Sequence, residues 1–340
     1  MFITNKQKKT LRIFINYFLG PLLFVWVSYS IYQQVQHQPG LERSWDHIRE
    51  SFNSGMIWNL VTVLSLMFAN WSIETIKWKL AVQKIQEVNF FTAFRAVLSG
   101  VSFSVTTPNR VGEYLGRILY MEEGNRMKAI ALTIAGSTSQ LIITLLMGFA
   151  GLIILRNPIE KSQMISAFWL DLILYGVFIA TLILTLFYFR LSWLVKWIDR
   201  MPGAKKYSWL IETLEDFNAT LLLQLLSLST LRFIVFIVQY YLLCRLFDVN
   251  ISLWHCWSAV SVSFLVMAVI PTIALFTDLG LRGTVSLKLL GLFSVNSLGI
   301  SLTAVSIWFI NLIVPALAGS LLILGIKRIF RKRTESDDQP

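Results

Sequence analysis

The chain has 340 residues, 55% of them hydrophobic and only 14% charged, with a formal net charge of +11 and a mean hydropathy of +0.63. Several apolar runs are long enough to cross a bilayer and leave no room for a separate soluble domain. They also exclude nucleic acid as the reason for the basic balance, because lysine and arginine collect in short loops, where they set orientation and meet anionic lipid.

In chain order, Lys6, Lys8, Lys9 and Arg12 mark the start of a first span, Leu11–Gln33. It lacks a small-residue cleavage site and reads as an uncleaved helix. Residues 35–55 read as an external loop. Met56–Trp78 is a second span, with Glu74 and Lys77 expected to pair at headgroup level beside Trp71 and Trp78. Phe90–Val105 then approaches a Thr-Thr-Pro-Asn break, and a polar return arm to Met121 carries Arg110, Gly112, Glu113 and Arg117. Ala129–Leu155 is a third span containing Ser137, Thr138, Ser139 and Gln140. There Gln140 is either a lining residue or interhelical glue.

A short polar connection follows, and Phe168–Phe189 is the fourth span. Arg190–Asp216 reads as an amphipathic helix on the cytoplasmic surface, broken at Pro202-Gly203. Ala219–Phe247 is the fifth span and holds Arg232 and Gln239. Leu253–Leu275 is apolar up to Pro271, and Phe276–Gly291 is a second broken, charged element with Asp278, Gly280 and Arg282. Leu298–Ile326 is the last span, with Asn311 and Pro315 inside it, and residues 327–340 form a basic and then acidic cytoplasmic tail. Cys244 and Cys256 are too few for a disulfide framework and read as packing residues.

The positive-inside rule places both termini in the cytoplasm. Parity then requires residues 90–121 to enter and leave on the inner side, and Leu253–Asn296 on the outer side. Each of these stretches is a re-entrant pair or two crossings with a Pro break between them, and the expected fold is an all-α polytopic membrane protein of six full spans plus two Pro/Gly-broken re-entrant hairpins. It forms a single membrane domain built as an inverted-topology repeat, residues 11–155 and 168–326, in which the hairpin tips meet near the midplane.

No metal or nucleophile constellation can be written with His37, His47 and His255, so neither an enzyme nor a cofactor is expected. The two half-helical elements offer N-terminal N–H groups and arginines, which suit a lipid phosphate. Arg110, Arg117 and Arg282 are the candidate phosphate partners. Glu113 and Asp278 would hold an arginine or meet a cationic part of the headgroup. A mutual salt bridge that only stabilises the hairpin is the competing reading of these charges.

The run TPNRVGEYLGRILY, Thr107–Tyr120, resembles the P-x-R-x-G-E-x-x-R signature of the lysylphosphatidylglycerol synthase transmembrane-region family, also called the flippase-like domain family. The segment from Ile270, with Pro271 and TDLGLRG, is similar to that family's second signature. It departs in having Asp278-Leu279 for a Gly pair and Gly283 where a Glu is usual. The resemblance implies an inner-membrane protein handling phospholipid, including aminoacylated phospholipid; a lipid-modifying enzyme is the partner expected on the scaffold reading. It adds Thr107, Pro108, Asn109, Gly112, Pro271 and Gly280 to the candidate substrate-binding residues. The best-understood relatives carry a fused aminoacyl-transferase domain, which this chain is expected to lack, so the synthase activity does not carry over. Two functions are expected to compete: a lipid flippase, and a non-transporting module that binds lipid or scaffolds a partner enzyme.

Overall fold

Three helices of this protein begin where a short polar side chain takes up a free backbone N–H. Asn89 Oδ1 accepts from Thr92 N at 2.8 Å, Ser252 Oγ from His255 N at 3.2 Å, and Asn296 Oδ1 from Gly299 N at 2.9 Å. Each occupies the N-cap position such residues favour. The computed structural model describes residues 57–105, 107, 111–190, 219–270 and 275–324, and among these the regular elements are all helical. They are α1 (Ile57–Val82), α2 (Phe90–Val105), α3 (Gly112–Ile118), α4 (Arg126–Lys161), α5 (Ala167–Phe189) and α6 (Ala219–Leu246). α7 (Leu253–Val269), α8 (Leu275–Leu290), α9 (Ser297–Trp308) and α10 (Val314–Leu324) follow, with a π turn at Phe309–Ile313 joining the last two. Pro315 has no N–H to return to the Asn311 carbonyl, which accounts for a widened turn at that point.

Among the described residues, four helical stretches are long and apolar enough to cross a membrane: Glu123–Lys161, Ala167–Phe189, Ala219–Leu246 and Ser297–Ile323. The protein is a multi-pass helical membrane protein. α1 has a span's length, 26 residues, but carries Asn59, Asn70, Glu74 and Lys77. The first span, the 35–55 loop, the basic segment after Arg190 and the tail lie outside the described residues.

α3 turns back antiparallel along α2. A Cβ on Gly116 would overlap the Gly100 backbone, and one on Gly112 would overlap the Phe103 carbonyl, so only glycine lets the arms approach this closely. Tyr120 Oη meets Ser99 Oγ at 3.0 Å at the foot of this hairpin. On the other side of α2, Gly319 of α10 sits against the Leu98 carbonyl. α7 packs in the same manner against Gly148 and Gly151 of α4, through Leu265 and Ser258. α8 returns beside α7, where His255 stacks on Phe293 with ring centroids 4.2 Å apart.

Two expectations are corrected. α4 does not stop at Leu155 but runs to Lys161 with Pro158 inside it. Arg156 supports the extension by binding Glu160 at 3.2 Å and Asp171 at 2.9 Å. Trp78 is no interfacial anchor: it is 2% exposed and donates to Thr133 Oγ1 at 3.0 Å.

Candidate functional site

Glu74 sits about two turns before the end of α1, on the face that α6 and the α2–α3 hairpin cover. Its carboxylate is 4% exposed and is shared by three cations from three elements. Lys77 Nζ lies at 2.8 Å, Arg117 of α3 at 2.7 Å and Arg232 of α6 at 2.5 Å. Arg117 also binds Glu113, one turn earlier on α3. The headgroup-level pair expected for Glu74 and Lys77 is therefore corrected. They do pair, but as part of a buried network, which is how charges survive removal from water.

A polar lattice extends from these ions. Arg232 Nε donates to Asn70 Oδ1 at 2.7 Å, and Asn70 Nδ2 donates to Asn311 Oδ1 at 3.3 Å. Asn311 is thus delivered to α1 by the π turn. Lys77 Nζ lies 3.5 Å from Ser229 Oγ, which meets Ser139 Oγ at 2.8 Å. The Arg232 guanidinium lies over the Trp71 ring, 5.3 Å from its centroid, and 5.9 Å from that of Phe236.

The network opens onto a cavity of about 600 Å³. Glu74, Lys77, Arg232 and Glu113 line one part of it, and Asp278 and Arg282 of α8 another. Arg282 reaches Asp278 at 3.5 Å and Tyr240 Oη at 3.4 Å. The remaining wall is largely apolar, including Val101, Phe233, Phe264, Met267 and Leu312. The cavity therefore combines ionic groups with surface suited to hydrocarbon.

Of the residues singled out from the sequence, Glu113, Gln140, Asp278 and Arg282 border this cavity. Arg117 lies behind it, 2% exposed and bound by two carboxylates. Thr107 is occupied locally: its Oγ1 accepts from Gly112 N at 2.7 Å and donates to Phe103 O at 3.2 Å. It holds the start of α3, and Gly112 packs against α2. Gly280 faces open space. Pro108, Asn109, Arg110 and Pro271 lie outside the described residues. Glu74, Lys77, Arg232, Asn70 and Asn311 were not singled out as site residues. The signal was there in Asn70, Glu74 and Lys77 at i, i+4 and i+7 of one apolar helix, a spacing that stacks them on one face.

Residues 17–325 match the family model described as lysylphosphatidylglycerol synthase TM region. The chain belongs to this family. No curated protein matches it, and neither does any solved structure. Membership of the lysylphosphatidylglycerol synthase TM region family relates the chain to the handling of membrane phospholipid. In this family member, ions from both broken elements border the same cavity.

Proposed function

We propose that the protein is a lipid flippase of the inner (cell) membrane, not an enzyme, and that it moves a phospholipid with a phosphate-containing headgroup between leaflets. The observation that carries this reading is the cavity itself. It is bordered by charged residues of α3 and α8 and walled by apolar side chains, so a headgroup and the start of its chains can leave bulk lipid together.

We read the whole chain as six spans and two re-entrant hairpins in an inverted repeat, with both termini cytoplasmic. What supports the repeat is a matched pair of contacts: α4 meets α7 through Gly148 and Gly151, and α10 meets α2 through Gly319. In the proposed alignment of the halves these are equivalent helix pairs. Two such halves rocking about a central site would expose the cavity to each side in turn.

The test is reconstitution of the full chain into liposomes carrying headgroup-labelled phospholipids, with leaflet-specific quenching. Transport predicts protein-dependent loss of the protected inner-leaflet pool. Binding with no movement for any headgroup would dismiss the flippase reading in favour of a lipid-binding or scaffold module.

A further inference from the structure

We infer that Arg232, on a full span and not on either hairpin, is the phosphate ligand of the cavity, and that the favoured headgroup is a phosphodiester of net charge −1. This rests on the lipid reading of the cavity and adds the ligand residue and the charge class.

Arg117 is enclosed by Glu74 and Glu113, and Lys77 by Glu74 and Ser229, and both are about 2% exposed. Arg232 differs. Like Lys77 it borders the cavity, but its side chain is 13% exposed. Arg282 is equally exposed, but both of its terminal nitrogens are already engaged, by Tyr240 and Asp278. Asn70 holds its Nε and Glu74 its Nη1. Among the described residues nothing bonds its Nη2, which is left with one hydrogen of Nη1 as an unfilled fork. Trp71 and Phe236 lie within reach of the guanidinium and limit its swing. A planar donor fixed through two nitrogens, with its outer fork open, is the arrangement that takes a phosphate through two parallel bonds.

Charge sets the class. Among the described residues of the network, Lys77, Arg117 and Arg232 face Glu74 and Glu113, leaving one positive charge in excess. The Asp278–Arg282 pair adds none. In a site withdrawn from water an unbalanced charge is costly, and a phosphodiester monoanion cancels it. A zwitterionic headgroup brings a second cation and restores the imbalance.

The probe is a short-chain phosphatidylglycerol, titrated calorimetrically into the purified full chain in detergent. The comparisons are the matching phosphatidylcholine, the water-soluble glycerophosphoglycerol headgroup and inorganic phosphate. Phosphatidylglycerol should bind best, and Arg232→Ala should weaken it about ten- to a hundredfold, with a smaller loss for phosphatidylcholine. Arg232→Lys keeps a cation beside Glu74, so it decides the matter should Arg232→Ala fail to fold; it should recover only part of the affinity. Full affinity in Arg232→Lys, or in a folded Arg232→Ala, overturns the assignment. Inorganic phosphate binding as tightly as the lipid would assign the fork to a free anion and overturn it as well. Failure of leaflet movement in the wild-type protein, with an Arg232-dependent affinity intact, would defeat the transport reading and leave this inference standing.

Discussion

Arg232 and Glu74, 158 positions apart in sequence, meet at 2.5 Å between α6 and α1. That bond joins the two halves of the chain at the wall of the cavity. Because Lys77 and Arg117 converge on the same carboxylate, the consequences of losing it can be stated.

Glu74→Gln leaves the buried Lys77 and Arg117 and the partly buried Arg232 facing Glu113 alone. It should cost about 3–5 kcal/mol, the usual penalty for breaking a buried ion pair. Thermal melting of the purified protein measures this, and Glu74→Gln with Lys77→Met should recover part of the loss by removing one stranded cation. A Glu74→Gln protein that melts like the wild type would show that the network does not hold the fold.

Arg117 and Arg232 should separate by phenotype. Arg117→Ala removes a guanidinium already bound by two carboxylates, so it should lower the melting temperature and yield. Because it also removes the excess positive charge of the network, the folded fraction should bind phosphatidylglycerol more weakly than the wild type, but lose less affinity than Arg232→Ala does. Equal losses of affinity in Arg117→Ala and Arg232→Ala, at equal stability, would contradict the difference in their exposure.

Glycine substitutions should diverge in sign. Gly116→Ala forces a methyl group into the α2 backbone and should destabilise by about 1–3 kcal/mol. Gly280→Ala enters open space on a helix and should be neutral or stabilising by up to about 1 kcal/mol. Melting curves of the two variants decide, and a stable Gly116→Ala protein would rule out the close α2–α3 packing.

The proposed topology places the α1–α2 connection and the α8–α9 connection on opposite sides. In a cysteine-free background, Gln83→Cys should react with an impermeant thiol reagent only from the cytoplasmic side. Ser294→Cys should react only from outside. Labelling of both from one side would remove the inverted repeat.

The local features of the fold were legible where chemistry is local. Phe90–Val105 could be bounded from sequence because a polar connection precedes its apolar run and a Pro-containing break follows it, and Asn89 caps its start in the structure. Fifth-span limits were near the observed Ala219–Leu246 for a similar reason: polar residues and Asp248 close an apolar run. Glu113, Asp278 and Arg282 stood out as charges in broken apolar segments, and they do border the cavity. Glu74 and Lys77 were misplaced because sequence reports distance from a helix end, not depth beneath neighbours. A Lys and two Trp nearby imitate an interface, and it is α2, α4 and α6 packing against α1, with Arg117 reaching in from α3, that buries the pair. Arg117 shows the same limit, since its enclosure depends on Glu74, 43 positions away.

The glycine contacts also set how stiffness is distributed. α3 is seated on α2 with no spare volume, and α10 closes α2 from the other side, so these three elements can shift only as a unit. Among the described residues nothing lies within 4 Å of the site of a Cβ on Gly280 or Gly283 of α8. Its Asp278–Arg282 pair is long at 3.5 Å. The two ends of the cavity are therefore mechanically unequal: one is a fixed post, and the other has slack. Compliance falls on the side of α8, and a bulky residue at Gly280 or Gly283 would take up that slack without touching the Glu74 ions.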